Sequence, residues 1–326
     1  MVSIGVLPRL ALALGVTLAS PAAPSARAAD TILIGSVDAT SANLWPLYVA
    51  QTKGYFDAAD LKLDVVFSPS NASVIQQLAA GSYNIAPSAG IVDPIRAIEK
   101  GAPVSIIRIL IQSPPYALLA KPAIKSLKDL KGKTIMIGGA KDVTRIFTER
   151  MLEPNGLKSG DYDYIFAGAT SARFSALQSG AVDAAILTVP FNFYAESAGY
   201  NNLGFTFDYI PDMPFAAMAV NRTWATANPR VVERFLGVIQ KGVAWFEDPA
   251  NHTEAVKLMV EHSKLKQEDV EKSYQFLHSK HLFETSGKVS RRTLGVVTDA
   301  LKELGDVPKD FPVERLVLPG VTQLVD

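Results

Sequence analysis

"LAAGSYNIAP" (residues 78–87) and "LQSGAVDAAI" (residues 177–186) write one pattern twice, Leu-x-x-Gly-x-x-(Asn/Asp)-x-Ala, with Gly81 and Gly180 standing 180 − 81 = 99 positions apart. A glycine that closes an apolar-faced helix and precedes a short apolar run marks a helix end, then a buried strand. The helix before Gly81 carries Val74, Ile75 and Leu78 on one face, and the helix before Gly180 carries Phe174 and Leu177. The strands that follow are expected at Tyr83 to Ala86 and at Val182 to Leu187.

The repetition extends outward. Ile32-Leu33-Ile34-Gly35 and Ile135-Met136-Ile137-Gly138 are matching apolar runs ending in glycine, 138 − 35 = 103 positions apart. Each reads as a buried parallel strand before its loop. The helix after the first has Pro46 near its start and Gly54 past its end; after the second, Asp142 is the cap and Pro154 the stop. A further helix in each half opens at Pro94, behind Asp93, and at Pro190, behind Val189, and closes at Gly101 and Gly199.

Strand, helix, strand, helix, twice over, is the order of βαβ units, which build parallel sheets covered on both faces. Two α/β lobes side by side leave a cleft, and in open α/β sheets ligands bind outside the carboxyl ends of the strands. Two proline-broken stretches read as crossings between the lobes: Ile106 to Tyr116, interrupted by Pro114 and Pro115, and Phe205 to Val220, interrupted by Pro211 and Pro214. The expected division is therefore 29–112 for the first part of lobe 1, 113–212 for lobe 2, and 213–326 for the rest of lobe 1. From Asn228 the pattern is helical, with Pro229 leading and Val232, Phe235, Leu236 and Ile239 on one face. These later helices are expected to pack on lobe 1.

The 326 residues are 48% hydrophobic and 20% charged, with 32 basic against 32 acidic side chains. That balance gives no field for a nucleic acid or an anionic membrane surface. Arg9, the apolar run Leu10 to Leu18, and the small-residue stretch ending in Ala26-Arg27-Ala28 have the layout of a signal peptide over residues 1–28. Pro21 and Pro24 break it short of the roughly 20 apolar residues a membrane span needs. Export to the periplasm is expected, with cleavage near Ala28 and a monomeric mature chain. With no cysteine, no disulfide and no lipidated cysteine can contribute.

"PLYVAQTKGYFDAADLKLDVV" (46–66), "QQLAAGSYNIA" (76–86), "SLKDLKGKTI" (126–135) and "SARFSALQSGAVDAAI" (171–186) resemble the periplasmic solute-binding proteins of the sulfonate, taurine and nitrate import group. The likeness extends over nearly the whole mature chain. It implies the type II periplasmic binding protein fold, two α/β lobes joined by two crossings around a central ligand cleft. It also implies a membrane permease and an ATPase as partners, and no cofactor. Positions matching family ligand contacts are Ser36, Asp38, Asn43, Trp45, Ser88 and Gly90 in lobe 1, and Gly139, Lys141, Thr144, Thr188, Phe191 and Asn192 in lobe 2.

The residue chemistry of these positions leaves the ligand open. Ser36, Ser88, Thr144 and Thr188 offer hydroxyls just past strand ends, or caps for the adjacent helices. Helix starts and Lys141 favour a small organic anion such as a sulfonate, a nitrate-like ion or an aromatic carboxylate. Asp38 would repel one. With Trp45, Tyr116, Phe191 and Phe193, of which Phe191 is the preferred ligand-facing ring, Asp38 leaves room for a pyrimidine or flavin precursor. Arg145 and Arg173 read as solvated helix residues, and His252, His262, His278 and His281 as a solvated face and not a metal site.

A hinge-closing receptor is the expected function. The rival is an enzyme on the same scaffold, similar to chorismate dehydratases or to yeast-type pyrimidine synthases, whose cysteine-rich motif is absent here. No nucleophile, base and orienting partner show the spacing of a triad.

Overall fold

The computed structural model describes residues 1–2 and 29–326, so the signal-peptide reading lies outside the described residues. Lobe 1 opens with β1 (Asp30–Ser36), α1 (Trp45–Thr52), β2 (Leu61–Phe67), α2 (Asn71–Ala79), β3 (Ile85–Gly90), α3 (Val92–Glu99) and β4 (Val104–Ile111). Lobe 2 follows with β5 (Tyr116–Ala120), β6 (Thr134–Ile137), α4 (Val143–Leu152), β7 (Asp163–Phe166), α5 (Thr170–Gln178), β8 (Ala184–Thr188), α6 (Phe191–Ser197) and β9 (Asn201–Phe205). The chain then returns through β10 (Ala216–Asn221) to α7 (Arg222–Ala227), α8 (Pro229–Glu247), α9 (His252–Ser263), α10 (Gln267–Ser279) and α11 (Arg291–Glu303).

The two large sheets have one plan. Their strand orders are β2-β1-β3-β10-β4 and β7-β6-β8-β5-β9. In each, four strands run parallel, and the fourth place is held by an antiparallel strand, β10 or β5, that has just crossed from the other lobe. Each sheet thus contains the strand that ties it to its neighbour.

The duplicated motif does the same work in both lobes. Gly81 and Gly180 end α2 and α5 with φ of 80° and 78°, a region where any side chain would strain the backbone. The Asn/Asp position follows. Asn84 Oδ1 accepts from the Leu33 amide of β1 at 2.8 Å, and Asp183 Oδ2 accepts from the Thr134 amide at the start of β6 at 3.1 Å. A side-chain oxygen therefore extends the ladder between parallel strands where backbone pairing begins.

The C-terminal helices do more than cover lobe 1. α8 lies on α1 so closely that a Cβ on Gly242 would sit 2.3 Å from the Pro46 carbonyl oxygen. α10, however, also reaches lobe 2. The Phe276 ring is 5.5 Å from Phe193 and 5.2 Å from Phe205, and Ser197 Oγ donates to Asp269 Oδ1 at 2.6 Å. Arg150 of α4 pairs with Glu303 of α11 at 3.0 Å. The C-terminal helices thus pack on lobe 1 through α8, while α10 and α11 also carry apolar and charged groups to lobe 2. Among the described residues no helix is long and apolar enough to cross a membrane.

Candidate functional site

The carboxyl ends of the parallel strands of both sheets face each other, and the loops that leave them enclose a cavity of about 40 Å³. Its walls are Ser36, Val37, Asp38, Ser41, Asn43, Leu44, Asn71 and Ser88 from lobe 1, Gly168 and Thr170 from lobe 2, and Tyr116 and Phe215 beside the crossings. Such a volume holds a few waters at most. Pockets for organic ligands are roughly 300 Å³ or larger, so the lobes here stand close together over the cleft.

Direct contacts join the lobes there. Asp38 Oδ1 accepts from the amide and hydroxyl of Thr40 at 3.0 and 2.7 Å, while Oδ2 accepts from the amide and hydroxyl of Ser171 in lobe 2 at 3.1 and 3.0 Å. Asn71, at the start of α2, donates to Asp142 Oδ2 across the cleft at 3.2 Å and accepts from the Gly90 amide at 3.3 Å. The Ala42 amide donates to the Val189 carbonyl at 3.3 Å. At one rim the fit is tight enough that a Cβ on Gly168 would meet the Pro69 oxygen at 2.1 Å.

Electrostatically the site is acidic. Asp38 is the one charged side chain among the cavity residues. Nearby, burial first and Asp142 second push the Asp93 carboxyl well above its ordinary range, with Arg96 opposing, and Asp93 Oδ2 has no hydrogen-bond partner. The Tyr116 phenol is likewise pushed up, chiefly by burial. Tyr116 meets Phe215 edge to face at 4.9 Å, giving the cavity an aromatic corner.

Of the residues expected at the site, Ser36, Asp38, Asn43 and Ser88 line the cavity, and Tyr116 joins them. The others lie elsewhere. Trp45 is buried in lobe 1 against Phe246, and Phe191 packs on Phe174 inside lobe 2. Thr144 is spent on capping: its hydroxyl donates to Asp142 Oδ1 and accepts from the Gly138 amide. Gly139 accepts from the Asp142 amide in the same turn. Thr188 donates to the Pro115 carbonyl at 3.4 Å. The Lys141 side chain is 76% exposed and faces Asp306 at 3.6 Å. Gly90 stands beside Asn71 and Val143. Asn192 is fully buried with neither amide atom hydrogen-bonded.

Two expectations are corrected. Arg173 is not solvated: it is 1% exposed, and its guanidinium donates to the carbonyls of Ile186, Ala167 and Gly168 and to the Thr170 hydroxyl. The histidines face solvent only in part: His262 and His281 are exposed, and His252 and His278 are half-buried. His262 stacks on Tyr48 at 4.3 Å, His252 stacks on Tyr274 at 4.6 Å, and His278 donates through Nε2 to the Phe246 carbonyl at 2.8 Å. Among the described residues no group of three or more metal-ligating side chains converges.

Asn71, Gly168 and Thr170 were not anticipated. They follow the edge strands β2 and β7, Gly168 in the loop and Asn71 and Thr170 at the helix starts, whereas the loops after β1, β3, β6 and β8 make only part of the rim. The signal was available, because Asn71 and Thr170 open the two helices that the duplicated glycines close.

Comparison with known proteins agrees with this architecture. The model of a family described as "NMT1/THI5 like" matches residues 41–252. A formylaminopyrimidine-binding protein of Halalkalibacterium halodurans is 28% identical over 66% of this chain and 65% of its own length. A 4-amino-5-hydroxymethyl-2-methylpyrimidine phosphate synthase of Saccharomyces cerevisiae is 25% identical over 43% of this chain and 41% of its own. The chain thus matches less than two thirds of either relative's length. Among solved structures, the alkanesulfonate-binding protein of Xanthomonas axonopodis pv. citri, bound to MOPS, superposes with a TM-score of 0.73 at 18% identity, covering 90% of this chain and 98% of that one.

Proposed function

The chain belongs to the NMT1/THI5-like family, and from that premise we propose that it is an exported, monomeric binding receptor that closes its two lobes on a small N–H-bearing solute of the aminopyrimidine kind. In this reading it delivers the solute to a membrane permease and its ATPase. The observation that carries the choice of ligand is the charge of the cavity wall. Asp38 is its one ionic side chain, and the hydroxyls of Ser36, Ser41 and Ser88 and the amides of Asn43 and Asn71 complete a neutral hydrogen-bonding surface. Lys141, the cation expected to neutralise an anion, points away to Asp306. A sulfonate or nitrate would meet the Asp38 carboxylate at the wall, while the nearby Arg173 guanidinium is spent on backbone carbonyls and the Thr170 hydroxyl behind it; an exocyclic amine supplies the donor that a carboxylate accepts.

Tyr116 and Phe215 provide apolar faces for a flat ring. The name of the 28% identical relative supports the same class. Catalysis is less well supported than capture. The cavity wall carries no histidine, lysine or cysteine to act as base or nucleophile beside the serines.

Calorimetric titration with 4-aminopyrimidine, ethanesulfonate and nitrate tests the proposal. Binding of the aminopyrimidine alone is expected, weakened at least about tenfold in Asp38→Asn, since a hydrogen bond to a charged group is being reduced to one with a neutral amide. Binding of ethanesulfonate with equal strength to wild type and Asp38→Asn would refute the ligand class, and chemical turnover of any bound solute would refute the receptor.

A further inference from the structure

Beside the cavity the lobes bring two helix starts together. A Cβ on Gly90, which ends β3 just before α3, would stand 3.4 Å from the side chain of Val143, the first residue of α4. Each helix opens on an aspartate, Asp93 in the first turn of α3 and Asp142 as the cap of α4. Asp142 is fully engaged: Oδ1 accepts from the amide and hydroxyl of Thr144, and Oδ2 from Asn71 of lobe 1. Asp93 Oδ2 is buried and accepts from nothing.

The cations nearby are committed to other groups. Arg96, one turn along α3, gives Nε and Nη2 to Asp306 Oδ2 at 3.0 and 2.6 Å and Nη1 to the Lys141 carbonyl of lobe 2, while Lys141 Nζ faces Asp306 Oδ1 at 3.6 Å. Of the elements packed on α3, α2 and β3 carry no ionisable side chain. Arg108 of β4 is held by Gln240 and Glu284, and Arg315 donates to the carbonyls of Ile98 and Glu99. On α11, Arg291 pairs with Glu314, Asp299 with Lys302 and Glu303 with Arg150, and Arg292 is exposed. The junction of the lobes therefore sets three carboxyl groups, Asp93, Asp142 and Asp306, against two cations, Arg96 and Lys141.

We propose that joining the lobes takes up one proton, held by Asp93, so that pH sets how readily the cleft closes. An ionised oxygen without a donor, out of water and near a second carboxylate, is a costly arrangement that a neutral carboxyl avoids. Burial and Asp142 both raise the affinity of Asp93 for the proton, and Arg96 opposes them only in part. When the lobes part, Asp142 leaves with lobe 2, water reaches Oδ2, and the carboxyl ionises in the ordinary range. The joined form thus binds one proton more than the parted form, and acid favours joining. Above the ordinary carboxylate range each unit of rising pH lowers the ratio of joined to parted by up to about tenfold, until the joined form also releases its proton.

This rests on the reading of the chain as a receptor whose lobes open and close, and not on the identity of its solute. The chain has no cysteine, so spin labels at Lys62→Cys in lobe 1 and Lys131→Cys in lobe 2, both exposed, report lobe separation by electron–electron resonance. Between pH 5 and pH 8.5 the ratio of short to long distances should fall at least about tenfold in the otherwise unmodified protein. Asp93→Asn keeps the shape without the charge and should hold one ratio across that range. Asp57→Asn, at an exposed carboxyl of lobe 1, should follow the unmodified protein. Asn caps a helix as well as Asp does, so Asp142→Asn should move the midpoint of the response to lower pH. A ratio indifferent to pH in the unmodified protein would overturn the proposal without any variant, and so would an equal response in Asp93→Asn. Distances that ignore pH but shorten with 4-aminopyrimidine would reject proton uptake and keep the receptor. A pH response abolished by Asp93→Asn, with 4-aminopyrimidine failing to bind, would keep proton uptake and reject the ligand class.

Discussion

The Arg173 guanidinium lies over the ring of Tyr116, 5.9 Å from its centroid, and joins the floor of the cleft to the interior of lobe 2. One side chain there gathers carbonyls from two places, Ala167 and Gly168 after β7 and Ile186 within β8, and bonds the Thr170 hydroxyl that opens α5. A guanidinium does this because its donors form a rigid planar fork.

Arg173→Met should therefore cost about 3 kcal/mol of stability, because several buried acceptors lose a charged donor together. Urea unfolding measures it. A loss below about 1 kcal/mol would mean that water takes over these acceptors without penalty.

Gly168 and Gly242 make a matched pair of tests. A Cβ on either would run into a backbone oxygen, Pro69 at 2.1 Å and Pro46 at 2.3 Å. Gly168 faces Pro69 across the cleft, so Gly168→Ala should be relieved by opening the lobes. The expected result is a lower ligand affinity by about tenfold or more, with the ligand-free melting temperature nearly unchanged. Small-angle scattering showing a closed Gly168→Ala with full affinity would contradict this.

Gly242 has no such escape, because α8 and α1 share one core. Gly242→Ala should separate the helices or strain their backbones, at about 1–3 kcal/mol. The readout is a lowered urea midpoint with ligand affinity retained in the folded fraction. Comparing the two alanines separates the cost of closing a cleft from the cost of packing a core.

How far the sequence reveals all this depends on what kind of constraint each residue answers to. Gly81, Gly180, Asn84 and Asp183 answer to local constraints, a left-handed helix end and an unpaired strand amide, so their spacing alone announces two lobes. Asp142 as the cap of α4 is legible for the same reason. At Arg173 helical phase overrides charge: Thr170, Arg173, Phe174 and Leu177 fall on one helical face, and all four are buried. Lys141 and Phe191 were expected at the ligand from their place after strand ends. Their direction is set by tertiary neighbours, Asp306 for one and Phe174 for the other, which no local pattern contains. Ser171 could not be found from sequence, since its partner Asp38 lies in the opposite lobe.

Glu247 gives the protein a pH dependence whose sign can be worked out. Burial pushes its carboxyl from 4.5 up to about 7, and its Oε2 faces His278 Nδ1 at 3.5 Å. His278 spends its Nε2 proton on the Phe246 carbonyl, and burial lowers its affinity for a second proton, so the neutral ring presents Nδ1 as an acceptor. A protonated Glu247 suits that neighbour and an ionised one does not. Below about pH 4.5 both folded and unfolded chains hold the Glu247 proton, and this group's contribution is fully favourable. As the pH rises towards 7 the unfolded chain releases the proton first, and that stability is lost. Burial drives the Asp93 carboxyl in the same direction. Glu247→Gln keeps the shape without the titration, so it should match the wild type at pH 4 and exceed it by about 1–2 kcal/mol at pH 7.5, after allowance for partial solvent screening. Urea midpoints at both pH values measure the difference. A gap between variant and wild type that stays constant with pH would show that Glu247 ionises freely in the folded protein.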